Sequence, residues 1–209
     1  MVQLLEKVAF NQKGGDHLIF VGDMINKGPD STGVVDMARQ HSASSVRGNH
    51  EDRILLLRRE MVKTDTLTNP DDDKDSGFSP KELGERVLAR SLSDEQAQWL
   101  ENCPVILNVG QVPGMGQVVV VHAGIVPGVE LERQDPSSAM TMRTIDLDTH
   151  VTSPKKDGMN WAKVRLLFLL HSFNLAIILI YFQSRRLINI SQNYTRASRL
   201  QLKIPLQTL

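Results

Sequence analysis

Short strand-like segments alternate with helical patterns along the first 160 residues of the chain. Segments bounded by turn-forming residues predict β-strands over residues 16–21, 44–47, 105–109 and 118–122. Apolar residues at helical spacing predict helices over residues 1–10, 31–41, 52–62, 80–90 and 94–102, with Ser31 and Ser93 as caps. The order strand, helix, strand, helix predicts an α/β fold with a parallel sheet, whose ligands bind beyond the carboxyl ends of the strands.

The composition of the chain changes near residue 160. Residues 1–157 contain all 24 acidic residues and 17 of the 24 basic ones, whereas residues 158–209 contain seven basic residues and no acid. We therefore expect one domain over residues 1–163 and an atypical hydrophobic and basic tail over residues 164–209.

The tail contains an apolar segment, Leu166–Phe182, bracketed by arginines. Its length of about 17 residues is at the lower limit for a bilayer span, and three polar residues interrupt it, so membrane attachment stands only as an alternative. The formal net charge of zero gives no indication of nucleic acid as a partner. A single cysteine, Cys103, fits a reducing compartment, and we expect a cytoplasmic protein.

Residues that bind metals follow three of the predicted strands. Asp23 follows the first strand, Asn49 and His50 follow the second, and His122 ends the fourth. Each lies beside a glycine, which lets the backbone turn tightly or approach a ligand. Any one of these residues alone is weak evidence, but their placement at three strand ends predicts a single site.

Three segments of the sequence carry a family resemblance: Gly22–Pro29 (GDMINKGP), Arg47–Glu51 (RGNHE) and Val121–Gly124 (VHAG). They resemble the second, third and fourth motifs of the phosphoprotein-phosphatase branch of the calcineurin-like metallophosphoesterases. The sequence Lys-Gly-Pro-Asp-Ser at 27–31 resembles symmetrical diadenosine-tetraphosphate hydrolases. Together with residues 122–143 it is most similar to their eukaryotic, especially fungal, members.

The resemblance implies a function for each strand-end residue. Asp23 would bridge two divalent metal ions, and Asn49 and His122 would bind the second, in a mixed oxygen and imidazole shell that suits Mn, Fe or Zn. The two ions would activate a water for attack on phosphorus, and Asp23 would contribute to this step by holding both ions. His50 matches the family's proton donor to the leaving group.

Three basic residues are candidates for binding the substrate phosphate: Lys27, Arg47 and Arg143. Arg47 has an equal alternative, which is to brace its own loop. Where the protein phosphatases have Asp-Arg-Gly, this chain has Asn26-Lys27-Gly28. This difference favours small polyphosphates (dinucleoside polyphosphates, inorganic polyphosphate or capped RNA ends) over phosphoproteins as substrates.

Two motifs of the family are not found at their expected places. The Asp-x-His of the first strand would precede Met1, and the Gly-His of a late strand would follow residues 161–164. We therefore expect the family's α/β sandwich of central β-sheets flanked by helices, truncated at both ends by an incomplete gene model. The expected function is metal-dependent hydrolysis of phosphoester or phosphoanhydride bonds. The alternative is a genuine, catalytically impaired or membrane-tethered fragment that acts by binding.

Overall fold

The computed structural model describes residues 2–73, 77–112, 116–146, 148–156 and 158–160, together with the strand at 175–177. The described helices are α1 (Val2–Lys7), α2 (Ser31–Gln40), α3 (Asn49–Lys63), α4 (Pro80–Ser91), α5 (Asp94–Asn102) and α6 (Pro136–Thr141). The described strands are β1 (Ile19–Phe20), β2 (Ser44–Ser45), β3 (Ile106–Val112), β4 (Gly116–Val121), β5 (Thr144–Ile145), β6 (Thr152–Ser153) and β7 (Leu175–Ile177). Short 3-10 turns lie at Gln12–Gly14, Pro70–Asp73 and Leu131–Arg133.

The strands form three small sheets. The first two strands, β1 and β2, pair in parallel, which confirms the parallel arrangement predicted from the strand and helix order. An antiparallel hairpin forms from β3 and β4, and β7 pairs in parallel with the other edge of β4. A separate antiparallel pair joins β5 and β6. The α/β fold predicted from the sequence is therefore present in the described residues.

Two of the apolar clusters among the described residues position the elements around the strand ends. One lies among α2, α3, α4 and α5 and includes the fully buried Ile54 and Leu100. The other joins the β1 and β2 segments to the β3–β4 hairpin, with Val46 packed among Val109, Val118 and Val120. Since apolar burial is the main stabilising contribution to folding, this second cluster fixes the end of β4 against the ends of β1 and β2.

Helix starts differ from the sequence prediction at two places. Asp30, not Ser31, caps α2, because its carboxylate accepts a hydrogen bond from the backbone N–H of Gly33 at 2.8 Å. Helix α3 begins at Asn49, three residues before the predicted start at Asp52. The second difference places Asn49 and His50 on the first turn of a helix rather than in a loop.

The predicted tail lies largely outside the described residues. Of the apolar segment 166–182, the structure describes only β7, which pairs with β4 over residues 117–119. Within the described part of the chain, no helix has the length and apolar character needed to cross a membrane. The domain boundary at residue 163 remains a prediction.

Candidate metal and phosphate site

The loops that follow β1, β2 and β4 meet at one place because two glycines let them approach. A Cβ atom on Gly22 would lie 2.7 Å from the backbone nitrogen of Gly48 and 2.8 Å from Nδ1 of His122. A Cβ on Gly48 would lie 2.5 Å from Oδ1 of Asp23. Gly22 also has a φ of +82°, in the left-handed region that side chains disfavour. Glycine is therefore required at both positions.

The Asp23 carboxylate is the centre of the site. Its Oδ1 lies 3.4 Å from Nε2 of His122, and its Oδ2 lies 3.7 Å from Nε2 of His50 and 3.4 Å from Nζ of Lys27. The backbone N–H of His50 donates to Oδ1 at 3.1 Å. Asp23, His50 and His122 each keep 16–17% of their side-chain surface exposed, so the site is open to small ligands.

The ring of His122 is oriented by the backbone of the residue that follows β1. Its Nδ1 lies 2.7 Å from the carbonyl oxygen of Val21, and a carbonyl can only accept, so Nδ1 carries a proton. In the neutral ring Nε2 is then an acceptor, and it faces the acceptor Oδ1 of Asp23. Two acceptors at this distance repel, and either a metal ion bound between them or a second proton on the ring would remove the repulsion. Histidines that bind a metal ion through one ring nitrogen typically donate a hydrogen bond from the other, as Nδ1 of His122 does here.

Asn49 supplies the third candidate ligand. It is the first residue of α3 and directly precedes His50. Among the described residues there is no group of three or more His, Cys, Asp and Glu side chains able to hold a metal ion. Asp23 and His122 are therefore a pair, and Asn49, whose amide oxygen fits a hard or borderline cation, is the third ligand that the family resemblance implies.

His50 is held by a second asparagine, Asn26. The Nδ2 of Asn26 lies 3.0 Å from Nδ1 of His50, which leaves Nε2 directed towards Asp23. Burial lowers the pKa of His50 below its usual value, although the Asp23 carboxylate acts in the opposite direction. The ring is therefore favoured in its neutral form, which has one N–H group able to donate a hydrogen bond.

The structure shows a residue that the sequence pattern did not single out, Glu51. Its side chain is 1% exposed, and its carboxylate accepts hydrogen bonds from four backbone N–H groups, those of Asp23, Met24, Ile25 and Gly48. Glu51 therefore shapes the loop that carries Asp23 and closes it against the start of α3. The available signal was its place three residues after Gly48, where an acid caps the first turn of a helix.

The three basic candidates have different surroundings. Lys27 is exposed, with Nζ next to Asp23. The guanidinium of Arg47 donates to the carbonyl oxygen of Glu101 and lies 3.4 Å from the Asp52 carboxylate, an arrangement that braces its loop. Arg143 is exposed between α6 and β5, and its backbone N–H pairs with Ser153. Phosphate binding by these three residues remains a prediction.

A cleft of about 720 Å³ begins at Asn49 and extends between α3 and α6. Its walls include Arg53, Leu56, Pro136 and Met140. This volume lies within the roughly 300–1,000 Å³ range of small-molecule sites. The cleft gives a substrate larger than phosphate room next to Asn49, one of the candidate metal ligands.

An α/β fold with carboxylate and imidazole side chains brought together at strand ends, beside an exposed lysine, is typical of metal-dependent hydrolases that act on phosphate. The comparison with known families agrees. The model of the calcineurin-like phosphoesterase family matches residues 1–186, and the chain belongs to this family.

Curated relatives are named symmetrical bis(5'-nucleosyl)-tetraphosphatases. The protein from Nitrosospira multiformis is 32% identical over 143 residues, which are 66% of this chain and 43% of the relative. The protein from Shewanella sp. (strain W3-18-1) is 26% identical over 151 residues, 71% of this chain and 48% of the relative. This chain spans less than half the length of these two relatives.

A solved structure, described provisionally as a diadenosine tetraphosphatase, has the same fold. It is similar with a TM-score of 0.60 and 31% identity, covering 78% of this chain and 62% of that one. The fold predicted from the motifs is thereby confirmed. The Nitrosospira and Shewanella relatives are bacterial proteins, so the predicted kinship with fungal proteins remains a prediction.

Proposed function

We propose that this protein is a metal-dependent phosphohydrolase that cleaves a phosphoanhydride bond of dinucleoside polyphosphates. The observation that carries the proposal is the pair of facing acceptors, Nε2 of His122 and Oδ1 of Asp23, with His50 at the same carboxylate. A carboxylate and an imidazole that share a cation, beside a second imidazole able to donate a hydrogen bond to the leaving oxygen, suit hydrolysis of a phosphate bond.

The residues present fit a divalent cation. Asp23, Asn49 and His122 would hold it, and their oxygen and nitrogen donors suit Mn, Fe or Zn. The family resemblance implies two ions, and the further ligands of the other ion would belong to the two motifs that are not found at their expected places. When bound, such ions supply electrostatic stabilisation of the phosphate and make water a better nucleophile at neutral pH. The hydrogen bond from Nδ1 of His122 to the carbonyl oxygen of Val21 already orients the ring, so His122 needs little rearrangement to bind the ion.

The remaining groups of the site act on the substrate. His50 is placed to donate a hydrogen bond from Nε2–H to the leaving phosphate oxygen and to stabilise the negative charge that develops there, since its other ring nitrogen is occupied by Asn26. Lys27 has an exposed ammonium group beside Asp23 and would attract the polyphosphate chain. Arg143, also exposed, is proposed as a more distant phosphate contact.

The substrate class is supported by two findings. Relatives are named as enzymes of bis-nucleosyl tetraphosphates, and the cleft beside Asn49 can hold a group larger than phosphate. Phosphoproteins and capped RNA, which the motifs also allowed, have no support among these relatives. A cytoplasmic location remains part of the proposal.

Metal binding and hydrolysis test the proposal together. Calorimetric titration with Mn²⁺ should show binding that weakens roughly tenfold or more in Asp23→Asn and in His122→Ala. Asp36→Asn, an exposed carboxylate on α2, is the matched control and should bind Mn²⁺ like the unchanged chain. Incubation with diadenosine tetraphosphate and Mn²⁺ should release nucleotide, and Asp23→Asn should abolish the release.

Two results would count against the proposal. Mn²⁺ affinity equal in Asp23→Asn and Asp36→Asn would show that the facing acceptors are not a metal site. Tight, Asp23-dependent binding of Mn²⁺ without any hydrolysis would instead support the alternative, a chain that keeps the site but acts only by binding.

A further inference from the structure

We propose that Glu85 of α4 is a positioning residue for His50, because it fixes the side-chain amide of Asn26, which in turn holds the imidazole with its proton on Nε2. The inference rests on the proposed function for its catalytic meaning. The hydrogen-bond chain itself can be tested without catalysis.

The three side chains form a continuous series of contacts. Oε1 of Glu85 lies 3.5 Å from Nδ2 of Asn26, and the same Nδ2 lies 3.0 Å from Nδ1 of His50. The other oxygen of Glu85, Oε2, lies 2.8 Å from Nη2 of Arg53. Glu85 comes from a helix 59 residues beyond Asn26, so its place beside the site is a product of the fold.

The carboxylate determines which way the amide of Asn26 points. An ionised carboxylate only accepts hydrogen bonds, so an amide oxygen turned towards Glu85 would place two acceptors against each other. The NH₂ group therefore faces both Glu85 and His50, and it has two hydrogens, one for each. Nδ1 of His50 must then be the acceptor, which leaves the ring proton on Nε2, 3.7 Å from Oδ2 of Asp23.

Surrounding contacts keep this arrangement in place. Asn26 has a φ of +74°, a left-handed conformation that asparagine tolerates better than most residues, and its backbone N–H donates to Oγ of Ser31 at 3.1 Å. Glu85 is 3% exposed, and the ion pair with Arg53 offsets the cost of burying its charge. A carboxylate thus acts on His50 through an intervening amide rather than by direct contact.

Nuclear magnetic resonance of the metal-free protein tests the chain of contacts directly. Two-bond ¹H–¹⁵N correlations distinguish the two neutral tautomers of histidine, and the His50 signals are assigned by their absence in His50→Gln. We expect the Nε2–H tautomer in the unchanged protein and in Glu85→Gln, whose side-chain oxygen can still accept from Asn26. Glu85→Leu should give a mixture of tautomers, because the amide of Asn26 can then turn over. Glu82→Gln, an exposed position on the same helix, is the control.

A second variant covers the case in which Glu85→Leu does not fold. Asn26→Gly suits the positive φ and removes the amide itself, so it should also give mixed tautomers. A pure Nε2–H tautomer in folded Asn26→Gly or Glu85→Leu would overturn the proposal.

Kinetics show whether the position of the proton matters for the reaction. We expect Glu85→Leu to lower kcat for phenyl phosphate, a poor leaving group, in proportion to the fraction of the Nε2–H tautomer that the spectra show to be lost, because only that tautomer donates a hydrogen bond to the leaving oxygen. KM and the kcat for p-nitrophenyl phosphate should stay nearly unchanged. Equal losses for both esters would overturn the positioning function and indicate general damage. Absence of hydrolysis in the unchanged chain would contradict the proposed function. The tautomer of His50 in the NMR spectra would still show whether Glu85 and Asn26 fix the ring.

Discussion

Replacement of Glu51 by glutamine probes the most heavily hydrogen-bonded side chain of the site. Oε2 of Glu51 accepts from the N–H groups of Asp23 (2.7 Å) and Gly48 (2.9 Å), and Oε1 accepts from those of Met24 (2.6 Å) and Ile25 (3.2 Å). Glutamine keeps one acceptor oxygen but turns the other position into an NH₂ donor. Two backbone N–H groups then face a donor and lose their partner.

The expected loss of stability follows from those two groups. A buried donor without a partner costs about 1–3 kcal/mol, so two cost about 2–6 kcal/mol. Burial raises the pKa of Glu51, which shows that its charge is itself costly to bury, and the hydrogen bonds from Asp23, Ile25 and Gly48 offset this only in part. The neutral amide is easier to bury, so we expect the lower part of the range, about 2–3 kcal/mol.

Urea unfolding followed by circular dichroism at 222 nm measures the change in the free energy of unfolding. Glu82→Gln is the matched control, since Glu82 occupies the same third helical position in α4 but is exposed. Both of its hydrogen bonds from Ser79 end on one oxygen, which glutamine keeps, so we expect a change in stability of less than about 0.5 kcal/mol. If Glu51→Gln unfolds within about 0.5 kcal/mol of this control, the four hydrogen bonds do not hold the Asp23 loop, and the reasoning is refuted.

Two further predictions concern close packing and a buried thiol. Gly48→Ala should destabilise the protein and weaken Mn²⁺ binding, because its Cβ would lie 2.5 Å from Oδ1 of Asp23. The control is Gly84→Ala, which has open space around it in α4 and should be neutral or stabilising by up to about 1 kcal/mol in the same urea titration. Equal effects of the two substitutions on stability would contradict the close contact at Gly48. Burial raises the pKa of Cys103 to about 11. We therefore expect the thiol to react with a thiol reagent at pH 8 far more slowly in the folded protein than in the protein unfolded by guanidinium chloride. Similar reaction rates in the two states would show that the thiol is not buried.

The parts of the fold that follow from local sequence were predicted well. Helix α5 was predicted with its observed bounds, Asp94–Asn102, and with its cap Ser93, because capping and apolar spacing are local properties. The strand order also predicted that Asp23, His50 and His122 would meet. The choice of Asp30 over Ser31 as the cap of α2 depended on backbone geometry that two adjacent polar residues leave open.

The parts of the site that depend on tertiary contacts were not predicted. Glu85 belongs to a helix whose sequence gives no sign that one of its acids is buried beside Asn26. Arg47 was given two functions, and its hydrogen bond to Glu101 comes from the way α5 packs next to its loop, whereas Asp52 lies only five residues away on α3. Charged residues are usually exposed, so the sequence alone favours the wrong environment for the few that are buried.

The hydrogen bond between His122 and the carbonyl oxygen of Val21 joins residues 101 positions apart. Contacts of such long range form late in folding, because the chain loses much entropy when it closes a large loop. A partly folded chain therefore presents Asp23 without its imidazole partner and has no site for a cation. Capture of a metal ion would report that the β3–β4 hairpin has docked, and by mass action it would stabilise that docked state.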